Sequence, residues 1–180
     1  MAKNVNTISV ATINDAHEVV LLFNAYRMFY AQADGLPLAT EFIRHRLQQN
    51  DSTILLARNE AQQAVGFCQM YPTFCSFAAA PILVLYDLFV TPAARGTGAG
   101  RALLLAAHDY AKTAGVARMD LSTAKNNLPA QALYESLGWQ KDTHFFFYFL
   151  ALRAKQYPRL PRRARRKIYT LYPLALSACL

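Results

Sequence analysis

Apolar residues recur along this chain with two periods, and the switches between them predict the order of its elements. Residues 7–13, Thr-Ile-Ser-Val-Ala-Thr-Ile, alternate weakly, as a first strand does. Asp15 with Glu18 three residues later reads as a capping-box start, and Val19, Leu22, Phe23, Tyr26 and Tyr30 follow at helical spacing. A helix over about 15–30 results. Gly35 and Pro37 interrupt the pattern, and Phe42, Ile43 and Leu47 mark a shorter helix to about Gln49.

Residues 53–57 form a short apolar strand, 59–63 a polar turn, and 64–71 a second strand that Pro72 ends, together a hairpin. Residues 82–90, Ile-Leu-Val-Leu-Tyr-Asp-Leu-Phe-Val, are apolar almost throughout, the signature of a central strand covered on both faces. From Ala99 a helix carries Leu103, Leu104, Ala107, Tyr110, Ala111 and Ala114 on one side, with Gly115 as its C-terminal cap. A strand at 118–122, a helix at 127–137 stopped by Gly138, and an aromatic strand at 144–150 complete the set. The order β-α-α-β-β-β-α-β-α-β predicts an α/β (α+β) fold, a mixed sheet flanked by helices.

A length of 180 residues suits one domain with a continuous core. The net charge of +8 is unevenly placed. Residues 1–152 hold eleven basic and all eleven acidic residues, whereas the surplus lies in Arg153, Lys155, Arg159, Arg162, Arg163, Arg165, Arg166 and Lys167. The expected organisation is therefore a domain over 1–152 and a basic, then apolar, extension over 153–180. Three cysteines without C-x-x-C spacing and four scattered histidines indicate no zinc site. The beginning of the chain lacks the apolar stretch of a secretory signal, and no apolar run approaches the roughly 20 residues that span a bilayer. A cytoplasmic setting is expected.

The segment Leu88-Phe89-Val90-Thr-Pro-Ala-Ala-Arg95-Gly96-Thr97-Gly98-Ala99-Gly100-Arg101 runs from a buried strand through a glycine-rich turn into a helix. Glycines let backbone N–H groups approach a phosphate, the helix N-terminus adds partial positive charge, and Arg95 and Arg101 could bring formal charge to a diphosphate. A Walker loop would end in Gly-Lys-Ser/Thr, and a dinucleotide fingerprint would follow the first strand with G-x-G-x-x-G spacing; both match poorly here.

The run Arg95-Gly-Thr-Gly98-Ala-Gly100 resembles the R/Q-x-x-G-x-G/A signature of GNAT acyltransferases. Downstream, Asn127-Leu-Pro-Ala130-Gln-Ala-Leu133-Tyr134-Glu-Ser-Leu-Gly138-Trp139 is similar to that family's N-x-x-A-x-x-L-Y-x-x-x-G-F segment, with Trp replacing Phe. The resemblance covers about 7–152 and implies acetyl-CoA as co-substrate, no metal, and a sheet splayed between the strand ending at Val90 and that at 118–122. It further implies that backbone groups of Leu88, Phe89 and Val90 pair with the pantetheine amides, that residues 95–101 hold the diphosphate, and that Asn127 holds the cofactor arm. Tyr134 would protonate the departing thiolate as general acid.

Tyr86-Asp87-Leu88-Phe89-Val90 resembles the E-D-L/F-F-V stretch of the polyamine and thialysine branch of that family. The branch's glutamate, its candidate base, is Tyr86 here, and a phenol with an ordinary pKa near 10 is a poor base at neutral pH. Either Asp87 acts through water or the amine arrives neutral. Strand alternation puts Tyr86 and Asp87 on opposite faces, so that only one of them meets the substrate. Tyr30 is the helix residue expected beside it, offering an aromatic wall to an ammonium.

The function expected is transfer of acetyl to a primary amine of a small molecule or protein by direct attack in a ternary complex, by a homodimer. A binding module that keeps CoA without efficient chemistry is the second class, its basic segment Arg153–Lys167 directing it to a polyanion such as nucleic acid, or to a membrane.

Overall fold

Thr12, not Asp15, opens the first helical segment. Its side chain accepts from the Asn14 N–H at 3.3 Å, and the Asp15 carboxylate accepts from the Thr12 N–H at 2.7 Å. A single turn over Ile13–Asp15 then leads into helix α1, Ala16–Phe29, so the preceding strand β1 is confined to Thr7–Val10. The computed structural model describes residues 7–150 in two compact units, 7–120 and 121–150. The expected extension over 153–180 lies outside the described residues.

In the first unit α1 is followed by α2, Leu36–Gln49, which takes Pro37 into its first turn, where a missing N–H costs nothing. Strands β2 (Thr53–Arg58), β3 (Ala64–Cys75) and β4 (Ala80–Val90) form an antiparallel meander with β1 on its outer edge. Helix α3, Ala99–Thr113, follows the glycine-rich turn, and β5, Met119–Leu121, closes the sheet order β1-β2-β3-β4-β5. The Ala117 N–H meets Pro81 O at 2.9 Å and the Leu83 N–H meets Arg118 O at 3.1 Å. Both pairs advance in the same direction, so β5 joins in parallel and the sheet is mixed.

Pro72 does not end β3. Beyond Met70 that strand pairs with β4 alone, and its other edge needs no donor there. The side chains of Ile54, Leu56, Phe67 and Phe89 point to one face, where α1 and α2 cover them with Val19, Val20 and Ile43. The opposite face carries α3, whose Leu103, Leu104 and Ala107 are buried and whose Tyr110 hydroxyl accepts from the Thr53 hydroxyl at 2.9 Å. Arg58 ties β2 to the start of α1 through Asp15, at 2.7 Å, and Glu18.

The second unit holds α4, Leu128–Glu135, and an irregular stretch to residue 150. The strand expected over 144–150 does not form. The Asp142 carboxylate accepts from the N–H groups of His144 and Phe145 at 2.7 and 3.1 Å, a local turn that competes with strand pairing.

Candidate active site

The site begins with one extra residue in β4. Gln69 of β3 stands opposite Asp87, but Met70 stands opposite Leu85, so Tyr86 is a bulge. Two residues of β4 thus face one of β3, and the strict alternation expected of Tyr86 and Asp87 is broken. Tyr86 lies edge-on to Tyr71, ring centroids 5.8 Å apart, and Tyr71 shares the face of Gln69. The expectation that only one of Tyr86 and Asp87 faces this side is therefore corrected, because the bulge turns both toward α1.

Asp87 is 5% exposed, and Tyr26 of α1 hydrogen-bonds to its carboxylate. Burial pushes the Asp87 carboxyl up to about 6, against the hydrogen bond from Tyr26 that favours its ionised form. Burial first, and then the charge of Asp87, push the phenols of Tyr26, Tyr30 and Tyr71 above the ordinary tyrosine range, so all three remain neutral. Tyr26 and Tyr30 meet edge to face at 5.0 Å, Phe29 meets Tyr30 at 5.2 Å, and the wall continues to Phe89. The expected trio Asp87, Tyr86 and Tyr30 is thus brought together.

Two members of the cluster went unnoticed as site residues. Tyr71, although inside the expected strand, joins the cluster only through the register that the Tyr86 bulge sets between β3 and β4. Gln69 is fully buried, donates through Nε2 to the Ser52 hydroxyl at 2.7 Å, and leaves Oε1 without a hydrogen-bond partner directly across from Asp87. Its signal was a glutamine inside an otherwise apolar strand. The nearby Cys68 is also buried, which pushes its thiol up to about 12 and leaves it no nucleophile.

Three residues beyond Asp87, β4 ends and the glycine turn begins. Gly96 and Gly98 have φ of 79° and 93°, values that non-glycine residues rarely adopt. A Cβ on either would meet nothing within 4 Å, so the concave side of the turn is open. The N–H groups of Gly96, Gly98, Ala99 and Gly100 have no acceptor among the described residues, while those of Ala94, Arg95 and Thr97 are used inside the turn. Four free donors at the start of a 15-residue helix suit a diphosphate, so the residues present fit a CoA cofactor. Arg101 is exposed on the first turn of α3. Arg95 folds back instead: its Nε donates to Val90 O at 3.2 Å and its guanidinium lies 5.1 Å over the Phe29 ring. The backbone of Leu88, Phe89 and Val90 pairs with Cys68, Phe67 and Gly66 on one edge. β5, only three residues long and starting beside Leu83, is too short to accompany β4 to that end.

In the second unit Asn127 precedes α4. Its Nδ2 donates to the Thr123 hydroxyl at 3.3 Å and its carbonyl accepts from the Gln131 N–H at 3.1 Å. Tyr134 lies two helical turns further on, half-buried, with its ring 6.2 Å from Trp139. Seven residues apart, they lie along one side of the helix. Among the described residues no group of three or more His, Cys, Asp or Glu stands together as a metal site, and no helix is long and apolar enough to cross a membrane.

A mixed sheet with a bulged central strand, leading into an open glycine turn at a helix N-terminus, is the arrangement of an acyltransferase that takes its acyl group from CoA. The chain belongs to the acetyltransferase (GNAT) family, whose model matches residues 19–139. It is 45% identical over 148 residues to an uncharacterized N-acetyltransferase, YhfO, of Bacillus subtilis, an alignment covering 82% of this chain and 99% of that one. A probable acetyltransferase of Haemophilus influenzae is 31% identical over 124 residues, 68% of this chain and 83% of its own. A crystal structure of a probable acetyltransferase matches with a TM-score of 0.78 at 32% identity, covering 83% of this chain and 99% of the other. The protein is an acetyltransferase, and its family uses acetyl-CoA as co-substrate. These relatives do not specify the polyamine branch.

Proposed function

We propose that the protein transfers acetyl from acetyl-CoA to the primary amine of a small molecule by direct attack in a ternary complex. One observation carries the reading: a buried carboxylate, Asp87, sits on the bulge of the same strand that runs into the diphosphate cradle. Asp87 takes the proton of the incoming ammonium, and the bulge removes the need for Tyr86 to act as base. The freed amine attacks the thioester carbon, the C–S bond breaks, Tyr134 gives its hydroxyl proton to the departing thiolate, and the second proton lost by the attacking nitrogen passes through solvent water, from which Tyr134 is reprotonated. The N–H groups of Gly96, Gly98, Ala99 and Gly100 bind the diphosphate, with Arg101 adding charge. Leu88, Phe89 and Val90 offer backbone partners to the pantetheine arm, and Asn127 assists. Arg95 belongs to this set as the residue that braces Val90 and Phe29. The inert Cys68 thiol favours direct transfer over an acyl-enzyme.

The reading places the chemistry in residues 1–152 of a cytoplasmic homodimer, which the exposed Phe146 and Tyr148 favour, and assigns polyanion contact to Arg153–Lys167. The test is thiol release from acetyl-CoA over a panel of amines with the full chain. Asp87→Asn is expected to lower turnover about 10²–10⁴-fold while acetyl-CoA still raises its melting temperature. Turnover left intact by that substitution, with chemistry shown to be rate-limiting, would remove Asp87 from the mechanism.

A further inference from the structure

Resting on the reading of Asp87 as the base of an amine-acetylating site, we infer that the acceptor is a monoamine with an apolar or aromatic body and not a polyamine. Tyr26 of α1, Tyr30 just past the end of α1, Tyr71 of β3 and Tyr86 of β4 surround Asp87, and the neighbouring wall is Phe29 and Phe89. Phenol faces attract a single ammonium and its hydrocarbon body alike.

The charges that flank this wall in the first unit are already satisfied or are cationic. Beside Tyr71, Arg46 is paired with Asp51 at 3.1 Å. At the other end the Arg95 guanidinium covers Phe29. A second or third ammonium would therefore meet a guanidinium or a carboxylate with a partner, and nothing would offset its lost hydration.

The experiment measures kcat/KM by thiol release, with the full chain and acetyl-CoA, for 2-phenylethylamine and spermidine. 2-Phenylethylamine is expected to exceed spermidine by about tenfold or more, the factor that one unfavourable charge contact near a protein surface supplies. Tyr30→Leu is expected to shrink that advantage by raising KM for 2-phenylethylamine with little change in kcat, a split that general loss of fold would not produce. Spermidine matching 2-phenylethylamine would overturn this inference and leave amine acetylation standing. If no amine turns over while acetyl-CoA still raises the melting temperature, the reading of the site fails and this inference falls with it.

Discussion

Asp87 sets the behaviour of the site because its charge is held where charge is costly. Its carboxyl is pushed up to about 6 by burial, above the 3.8 of a free side chain, so the folded protein prefers the protonated form. The stability this represents is fully present below the unfolded value and is lost as pH rises through about 6. The difference amounts to about 3 kcal/mol at neutral pH. Asp15 works in the opposite direction and in a different window. The Thr12 N–H holds its carboxyl below 3.8, so its contribution is lost only as pH falls into the acid range. Melting temperature measured from pH 4.5 to 8 should therefore decline for the wild type, and Asp87→Asn, which keeps an acceptor for Tyr26, should flatten that decline. Parallel curves for the two proteins would show that Asp87 is not desolvated in solution. Asp87 itself was visible in the sequence as an acid in an apolar run. Its side was not, since one bulged residue reverses the alternation on which such a reading depends.

The glycine turn and α3 form the element to which the proposed function assigns the diphosphate, and here local sequence suffices. Glycines at 96 and 98 satisfy positive φ, and the N–H groups they release have no competing acceptor nearby. Gly98→Glu is expected to remove the stabilisation by millimolar acetyl-CoA, because it places a carboxylate in the turn proposed to hold the diphosphate and strains a backbone at φ 93°. The wild type should gain about 2.7 kcal/mol at a hundredfold excess over Kd, read as a rise in melting temperature. An equal rise in the variant would place the cofactor elsewhere. Other elements were less legible for identifiable reasons. Pro72 reads as a strand end until it is known that β3 has only one neighbour there, and 144–150 reads as a strand until Asp142 captures two of its N–H groups.

Across the whole chain, charge separates into a balanced part and a cationic one. Residues 1–152 carry equal numbers of acids and bases, and all of the +8 resides in Arg153–Lys167. The full chain should bind heparin with an affinity that falls steeply with salt, since each released counterion contributes to the slope. A chain ending at Leu152 should lose that binding and retain acetylation of small amines. Heparin retention unaffected by the truncation would show that the polyanion contact lies within 1–152.

Element order as far as α4, the mixed sheet, the glycine turn ahead of a helix and the acetyltransferase resemblance were legible from residue pattern, because each depends on spacing within a short stretch of chain: helical period, strand alternation, glycines ahead of a helix. The acceptor side was not. Tyr26, Tyr30, Tyr71 and Asp87 come from α1, β3 and β4, and Gln69 acquires its unpaired oxygen only when β3 and β4 are registered around the Tyr86 bulge. Register between strands is fixed by long-range packing against α1 and α2, where no periodicity along the chain records which side chains will share a face.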